Sequence, residues 1–402
     1  MKRTRIGAID VGTTKICTIM ADTDGSSTRV LGVGIVPSQG LQKGLVVNFN
    51  EAKAAIRESV RKAEQVAGYK LESAYVGITG RHVSSVNNRG VIAITRNDRL
   101  VRPSDLKRVL EVARSVKVPS ERELLHVIPR TYAVDGQEGV KNPVGMHGFR
   151  LDVETHIISA AVTSVKNLTK CIRGIGIEIE DLVMEPLAAA EAVFTEEERQ
   201  NGVMLADIGG GTTDIAVFKD NSIYHTSVLP IAGYQLTRDI SIGLNLSFDL
   251  AEEMKKKYGN VMPTHEDKGE ADRTLTEDGH SVSYRDLSEI IRIRVEELLR
   301  LIILELPRSD YAKFIPSGLV LAGGTANLPG IAELGHEVTR MPVRIGTPIG
   351  LYGVSDVLGN PAYATSVGLL LWKGKSTGAG TQSWRPQSGL RRFMSRIFGL
   401  FR

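Results

Sequence analysis

Two stretches half a chain apart carry the same chemistry. Residues 5–21, RIGAIDVGTTKICTIMA, hold Asp10, then Gly12, Thr13, Thr14 and Lys15. Residues 202–219, GVMLADIGGGTTDIAVFK, hold Asp207, then Gly209, Gly210, Gly211, Thr212 and Thr213. Glycines at a turn let backbone N–H groups close around phosphate oxygens as an anion nest. Threonine hydroxyls add donors, and Lys15 adds a point charge. Two carboxylates across a cleft, Asp10 and Asp207, suit a magnesium ion held through its waters. Either stretch alone is an ordinary hairpin with a glycine turn; the repeated aspartate points to a phosphate clamp. The second turn reads as the longer one, with Gly210 and Gly211 beyond the shared pattern.

A third element, GLVLAGGTANLPGI (318–331), places Gly323, Gly324 and Thr325 between an apolar strand and a helix expected after Pro329. A strand, a glycine pair and a helix N-terminus fit a ribose or adenine edge. These residues need a rigid frame. Each aspartate ends an apolar β-rich run, so each stretch is predicted to be strand, turn, strand. Short β-rich runs alternate with helical patterns along most of the chain, which predicts α/β layers.

A chain of 402 residues exceeds one simple core and predicts two or more domains. Hydrophobic content of 42% and charged content of 24% are ordinary globular values. A net charge of +4 gives no general nucleic-acid-binding surface. Two cysteines, Cys17 and Cys171, argue for a reducing compartment and against a disulfide scaffold. The opening MKRTRIGAIDVG has no apolar signal region, and no run of about 18 apolar residues offers a membrane span. The expectation is a soluble cytoplasmic body.

In order and spacing, the three glycine elements resemble the two phosphate loops and adenosine loop of the actin/Hsp70/sugar-kinase superfamily. The resemblance implies two related α/β halves that clamp Mg-ATP. EPLAAAEAV (185–193) and PAYATSVGLLL (361–371) are similar to that superfamily's helical connectors, where small residues permit close packing at the hinge. Within the superfamily, YVGITGRHVSSVNNRGVIAI (75–94) and LLHVIPRTYAVDGQEGVKNPVGMHGFRLDVETHII (124–158) resemble the FtsA family of actin-like bacterial cell-division proteins. GLQKGLVVN (40–48) is similar to an early motif of the same family. A sugar kinase would need a clear general base for a hydroxyl, and an MreB-type filament protein would lack the segment 84–162.

The resemblance implies a duplicated actin-like ATPase fold of α/β class, with the nucleotide cleft between its halves. An inserted α+β subdomain and a C-terminal amphipathic helix are added to it. The expected divisions are 1–83 and 163–195 for the first-half core, 84–162 for the insert, and 196–226 for the second-half core. A small subdomain follows at 227–300, a return to the second half at 301–355, a closing helix at 356–372 and a flexible linker at 373–388. In this architecture Gly233 lets the backbone approach the nucleotide. Glu252 and Lys255, one turn apart in AEEMKKKYG (251–259), face ribose and adenine. Glu185 stands where some relatives position the attacking water, and it equally suits the cap of its own helix before Pro186. Slow ATP hydrolysis and a purely ATP-dependent switch both stay open.

The resemblance also implies partners. The small subdomain would hold the C-terminal peptide of the tubulin-like protein FtsZ, and Arg292, Arg294 and Arg300 on the long helix 284–306 suit an acidic peptide and its terminal carboxylate. The insert would serve filament contacts and later divisome proteins. An assembly ATPase of the type IV pilus (PilM-like) and a small-molecule kinase are the alternatives.

The last stretch, GLRRFMSRIFGLFR (389–402), separates its residues by face. At about 100° per residue, Leu390, Phe393, Met394, Ile397, Phe398, Leu400 and Phe401 share one arc. Arg391, Arg392, Arg396 and Arg402 fill the other. That pattern predicts an interfacial helix on anionic lipid; with it, the family resemblance implies a peripheral protein on the cytoplasmic side of the membrane at the division septum.

Overall fold

The computed structural model describes residues 3–25, 27–262, 273–306, 311–353, 356–372 and 382–383. The amphipathic tail 389–402 lies outside the described residues.

Two sheets carry the two halves. The first has six strands in the order Glu178–Met184, Ser73–Ile78, Thr4–Val11, Lys15–Thr23, Thr28–Pro37 and Leu351–Gly353. The second has five, in the order Ser222–Leu229, Thr213–Lys219, Val203–Ile208, Leu319–Ala322 and Val343–Ile345. Helices cover both faces, so the central strands are apolar without alternation; Thr4–Val11 is buried from Ile6 onward. Leu351–Gly353 pairs with Thr28–Val30 of the first sheet, so the chain re-enters the first half before residue 355, where the second half was expected to end. The expected border at 300 falls inside one helix, Tyr284–Leu304, whose apolar stripe is continuous across it.

The two hairpins share one register. Val11 pairs with Ile16 and Ile208 with Thr213, which leaves Gly12–Lys15 and Gly209–Thr212 as turns of equal length. The expectation of a longer second turn is therefore corrected. Matching threonine to threonine misplaces the copies, because strand pairing sets hairpin register. Aligned on the ladder, Asp10 faces Cys17 and Asp207 faces Asp214.

Between the halves, the helices Glu185–Val193 and Ala364–Leu371 pack backbone to backbone. Ala188, Ala189, Ala190 and Ala192 are fully buried there. A methyl group on Gly368 would fall inside the carbonyl of Ala188.

Strands Val83–Ala93, Arg150–Ala161 and Arg122–Val134 form an antiparallel sheet under the helix Pro103–Arg114, with a small core around Leu151 and Val153. Its strands also reach the second half. Ser85 Oγ donates to the Thr226 carbonyl at 2.8 Å, and the Arg130 guanidinium lies 4.2 Å from the Tyr224 ring centre. The outer edge of Arg122–Val134 takes two short strands, Gln137–Val140 and Gln382–Ser383.

Candidate functional site

The hairpin turns meet across a cleft between the halves. Gly12, Thr13, Thr14 and Lys15 line one lip, and Gly209, Gly210 and Thr212 line the other. They approach closely: a Cβ on Gly210 would overlap the Thr14 methyl, and Gly211 stands against Thr13. The Thr13 hydroxyl accepts from the Gly44 N–H at 3.2 Å. Lys15 Nζ donates to the Ala362 carbonyl at 2.6 Å and lies 5.1 Å from the Tyr363 ring centre, at the entry to the closing helix. Thr213 is turned away, its hydroxyl donating to the Ile231 carbonyl at 2.7 Å. It supports the turn from behind and is not among the residues lining the cleft.

Four carboxyl groups line the floor. Asp10, Glu185 and Asp214 are buried and Asp207 is half-buried. The closing helix orients two of them: Ser366 Oγ donates to Asp10 at 2.5 Å and Thr365 Oγ1 to Asp207 at 2.7 Å. Its N-terminal end adds the favourable pole of the helix dipole. Asp214 accepts from Thr79, and from Thr212 Oγ1 at 3.1 Å. Desolvation pushes Asp207 up to about 6 and Asp214 up to about 7. It also raises Asp10, against the pull of Lys15. Glu185 is raised well above the usual carboxylate range by burial, then by the charges of Asp10, Asp214 and Asp207.

Asp214, Thr79, Thr365 and Ser366 are absent from the sequence expectations. Asp214 had a signal, since its spacing from Asp207 puts the two opposite each other in a hairpin. The pair Thr365–Ser366 had a weaker one, two hydroxyls at the start of an otherwise aliphatic helix.

A test of these groups follows from their direction. An unfolded carboxyl loses its proton near pH 4, whereas these hold theirs to about 6 or 7. Their contribution to stability is thus present at low pH and lost as pH rises through that window. Buried His126 and His156, pushed down by desolvation to about 4 and about 3, act in the opposite sense, but only below their unfolded value of about 6.5. As pH rises from about 4 through about 7, the melting temperature of the ligand-free protein is expected to lose ground against that of Asp214→Asn, which lacks this titration. Parallel slopes in thermal melts would refute the assignment.

The third glycine element joins the same site. Gly323 and Gly324 line the cleft. Thr325 Oγ1 and the Gly233 N–H both donate to the Gly209 carbonyl, at 3.1 and 3.0 Å. Glu252 and Lys255 pair with each other at 2.6 Å, and Lys255 reaches the Gly233 carbonyl at 3.2 Å. They brace the Gly233 turn behind the second lip.

The three arginines do not form one patch. Arg292 pairs with Glu296 at 3.0 Å and Glu337 at 3.3 Å, and exposed Arg300 reaches Glu296 at 3.4 Å. Arg294 points to the other side, to Asp239 of the helix Gly233–Gly243 and to Glu297. Residues two apart on a helix diverge by about 200°.

Two halves with matched hairpins and a carboxylate-floored cleft define a protein of the actin-like ATPase fold. Solved structures with this fold include a PilM-PilN type IV pilus biogenesis complex, with a TM-score of 0.63 at 17% identity over 93% of this chain and 99% of that one. MreB5 of Spiroplasma citri bound to ADP matches with a TM-score of 0.56 at 13% identity, over 94% and 99%. The family model for cell division protein FtsA matches residues 204–368, and that for the SHS2 domain inserted in FtsA matches residues 80–159. The cell division protein FtsA of Pseudomonas aeruginosa is 41% identical over 371 residues, 91% of this chain and 88% of the relative. That of Escherichia coli K12 is 34% identical over 380 residues, 92% and 90%. The chain belongs to the FtsA family of cell division proteins.

Proposed function

We propose that this chain binds Mg-ATP between its halves and assembles with copies of itself on the inner face of the cytoplasmic membrane. There it tethers FtsZ filaments at the septum and helps to recruit later divisome proteins. The facing glycine–threonine turns carry the ATP reading: their backbone donors and Lys15 suit phosphates, and Gly324, where a Cβ would meet nothing within 4 Å, leaves room beside them.

The cleft also fits a divalent cation. Four carboxyl groups line it, and Lys15 is the one basic side chain among its described lining residues. No three acidic, histidine or cysteine groups gather into a cage among the described residues, so Asp10 and Asp207 would act through water and phosphate oxygens. The cation, when bound, supplies the positive charge that lets these carboxyls ionise together. ATP serves first as a switch that closes the halves.

Family membership and the arginines of the helix Tyr284–Leu304 support the FtsZ peptide, with Arg292 and Arg300 on one ridge and Arg294 on another. No helix among the described residues is long and apolar enough to cross a membrane. The sequence of 389–402, with Leu390, Arg391, Arg392, Phe393, Met394, Arg396, Ile397, Phe398, Leu400 and Phe401, supports a peripheral anchor. One reconstitution tests the tether. A labelled FtsZ C-terminal peptide is expected to sediment with anionic vesicles only when the full chain is present, and to stay in solution with a chain ending at residue 388. Equal sedimentation with both chains would overturn the anchor, and no sedimentation with either would overturn the tether.

A further inference from the structure

The strand Arg122–Val134 is an edge of the inserted sheet, since only its inner side pairs with Arg150–Ala161. An open edge presents unpaired N–H and C=O groups to any extended segment. Here the edge is divided. Gln137–Val140 covers its far part through Tyr132 and Val134. Pro129 brings no backbone donor to the middle. On the near part, Gln382 pairs with Val127 and Ser383 with His126, antiparallel.

His126 is a fixed point in the body. Its Nε2 accepts from the Met184 N–H at 3.1 Å, immediately before Glu185. The Trp372 ring packs edge-on against it with centres 5.7 Å apart. The closing helix thus ends on the residue to which the chain returns at Ser383.

We propose that the outer edge of Arg122–Val134 around His126 and Val127 is a strand-addition site whose resident occupant is the chain's own segment at Gln382–Ser383. The pair Gln382–Ser383, within the stretch expected to be a flexible linker, is thereby a latch. With the edge occupied, the stretch 384–388 sets the reach of whatever binds beyond it, at most about 18 Å when fully extended. With the edge released, the whole of 373–388 sets it, at most about 58 Å from Trp372. Release also opens the edge to an extended peptide from another protein, recognised by its backbone.

Hydrogen exchange on the full chain tests this without lipid, nucleotide or FtsZ, so its failure leaves the proposed function untouched. The outward-facing amides within 124–128 are expected to exchange about tenfold faster in the double variant Gln382→Pro, Ser383→Pro and in a chain ending at residue 372. A synthetic peptide of residues 376–388 is expected to restore protection to the shortened chain. Equal exchange in all three proteins would overturn the latch. Protection that fades on dilution of the full chain would overturn it too, because a second copy would then supply the strand.

Discussion

Gly368→Ala is expected to destabilise the protein by about 3 kcal/mol and to weaken ATP binding with it. Gly368 sits where the helices Ala364–Leu371 and Glu185–Val193 cross, and its missing side chain is the space that the Ala188 carbonyl occupies. Backbone cannot yield as a flexible side chain does, so one methyl group pushes the two helices apart. Those helices carry the groups of the cleft floor: Glu185 begins one, and Thr365 and Ser366, which hold Asp207 and Asp10, begin the other. A wedge at their crossing therefore reaches the site without touching it. Melting is expected to drop by about 5 °C or more, and nucleotide titration to show about a tenfold loss. Gly359→Ala is the control, because a Cβ there meets nothing within 4 Å. A Gly368→Ala protein that melted with its parent would disprove the close-packed hinge.

Gly324→Glu is expected to do the reverse, abolishing ATP binding at unchanged stability. A Cβ at Gly324 meets no atom within 4 Å, and the residue lines the cleft. A side chain placed there disturbs no packing, yet it occupies the space expected for the nucleotide. The carboxylate adds repulsion toward phosphate in a cleft already lined by four acids. Affinity is expected to fall about 100-fold or more, close to 3 kcal/mol. Gly324→Gln, of equal size and no charge, separates bulk from repulsion and should fall between the two. Full ATP affinity in both variants, by calorimetric titration, would remove this glycine pair from the nucleotide site.

Much of this was legible in the sequence, for physical reasons. An apolar run ending in Asp-x-Gly can hardly avoid becoming a strand and a turn, so both hairpins could be read. The connectors were legible because alanine runs permit only close helix packing. Register was not legible, because it is settled by pairing across the ladder, and the threonines suggested the wrong alignment. Ser366 and Thr365 were hidden in a different way: they lie far along the chain from Asp10 and Asp207, and only the return of Leu351–Gly353 to the first sheet brings them near. The split of Arg292 from Arg294 could have been read from helical geometry alone. What those side chains pair with, Glu337 and Asp239, could not.

The unequal partners of the two hairpin aspartates give the cleft a direction. Duplication alone would make two equivalent lips related by a twofold axis. Here Asp10 faces a thiol, Cys17, whereas Asp207 faces a second acid, Asp214, and Lys15 has no basic counterpart on the opposite turn. The equivalence is broken in charge while being kept in backbone. An elongated anion with a cation on one side can then lie only one way round, so a symmetric frame sorts head from tail.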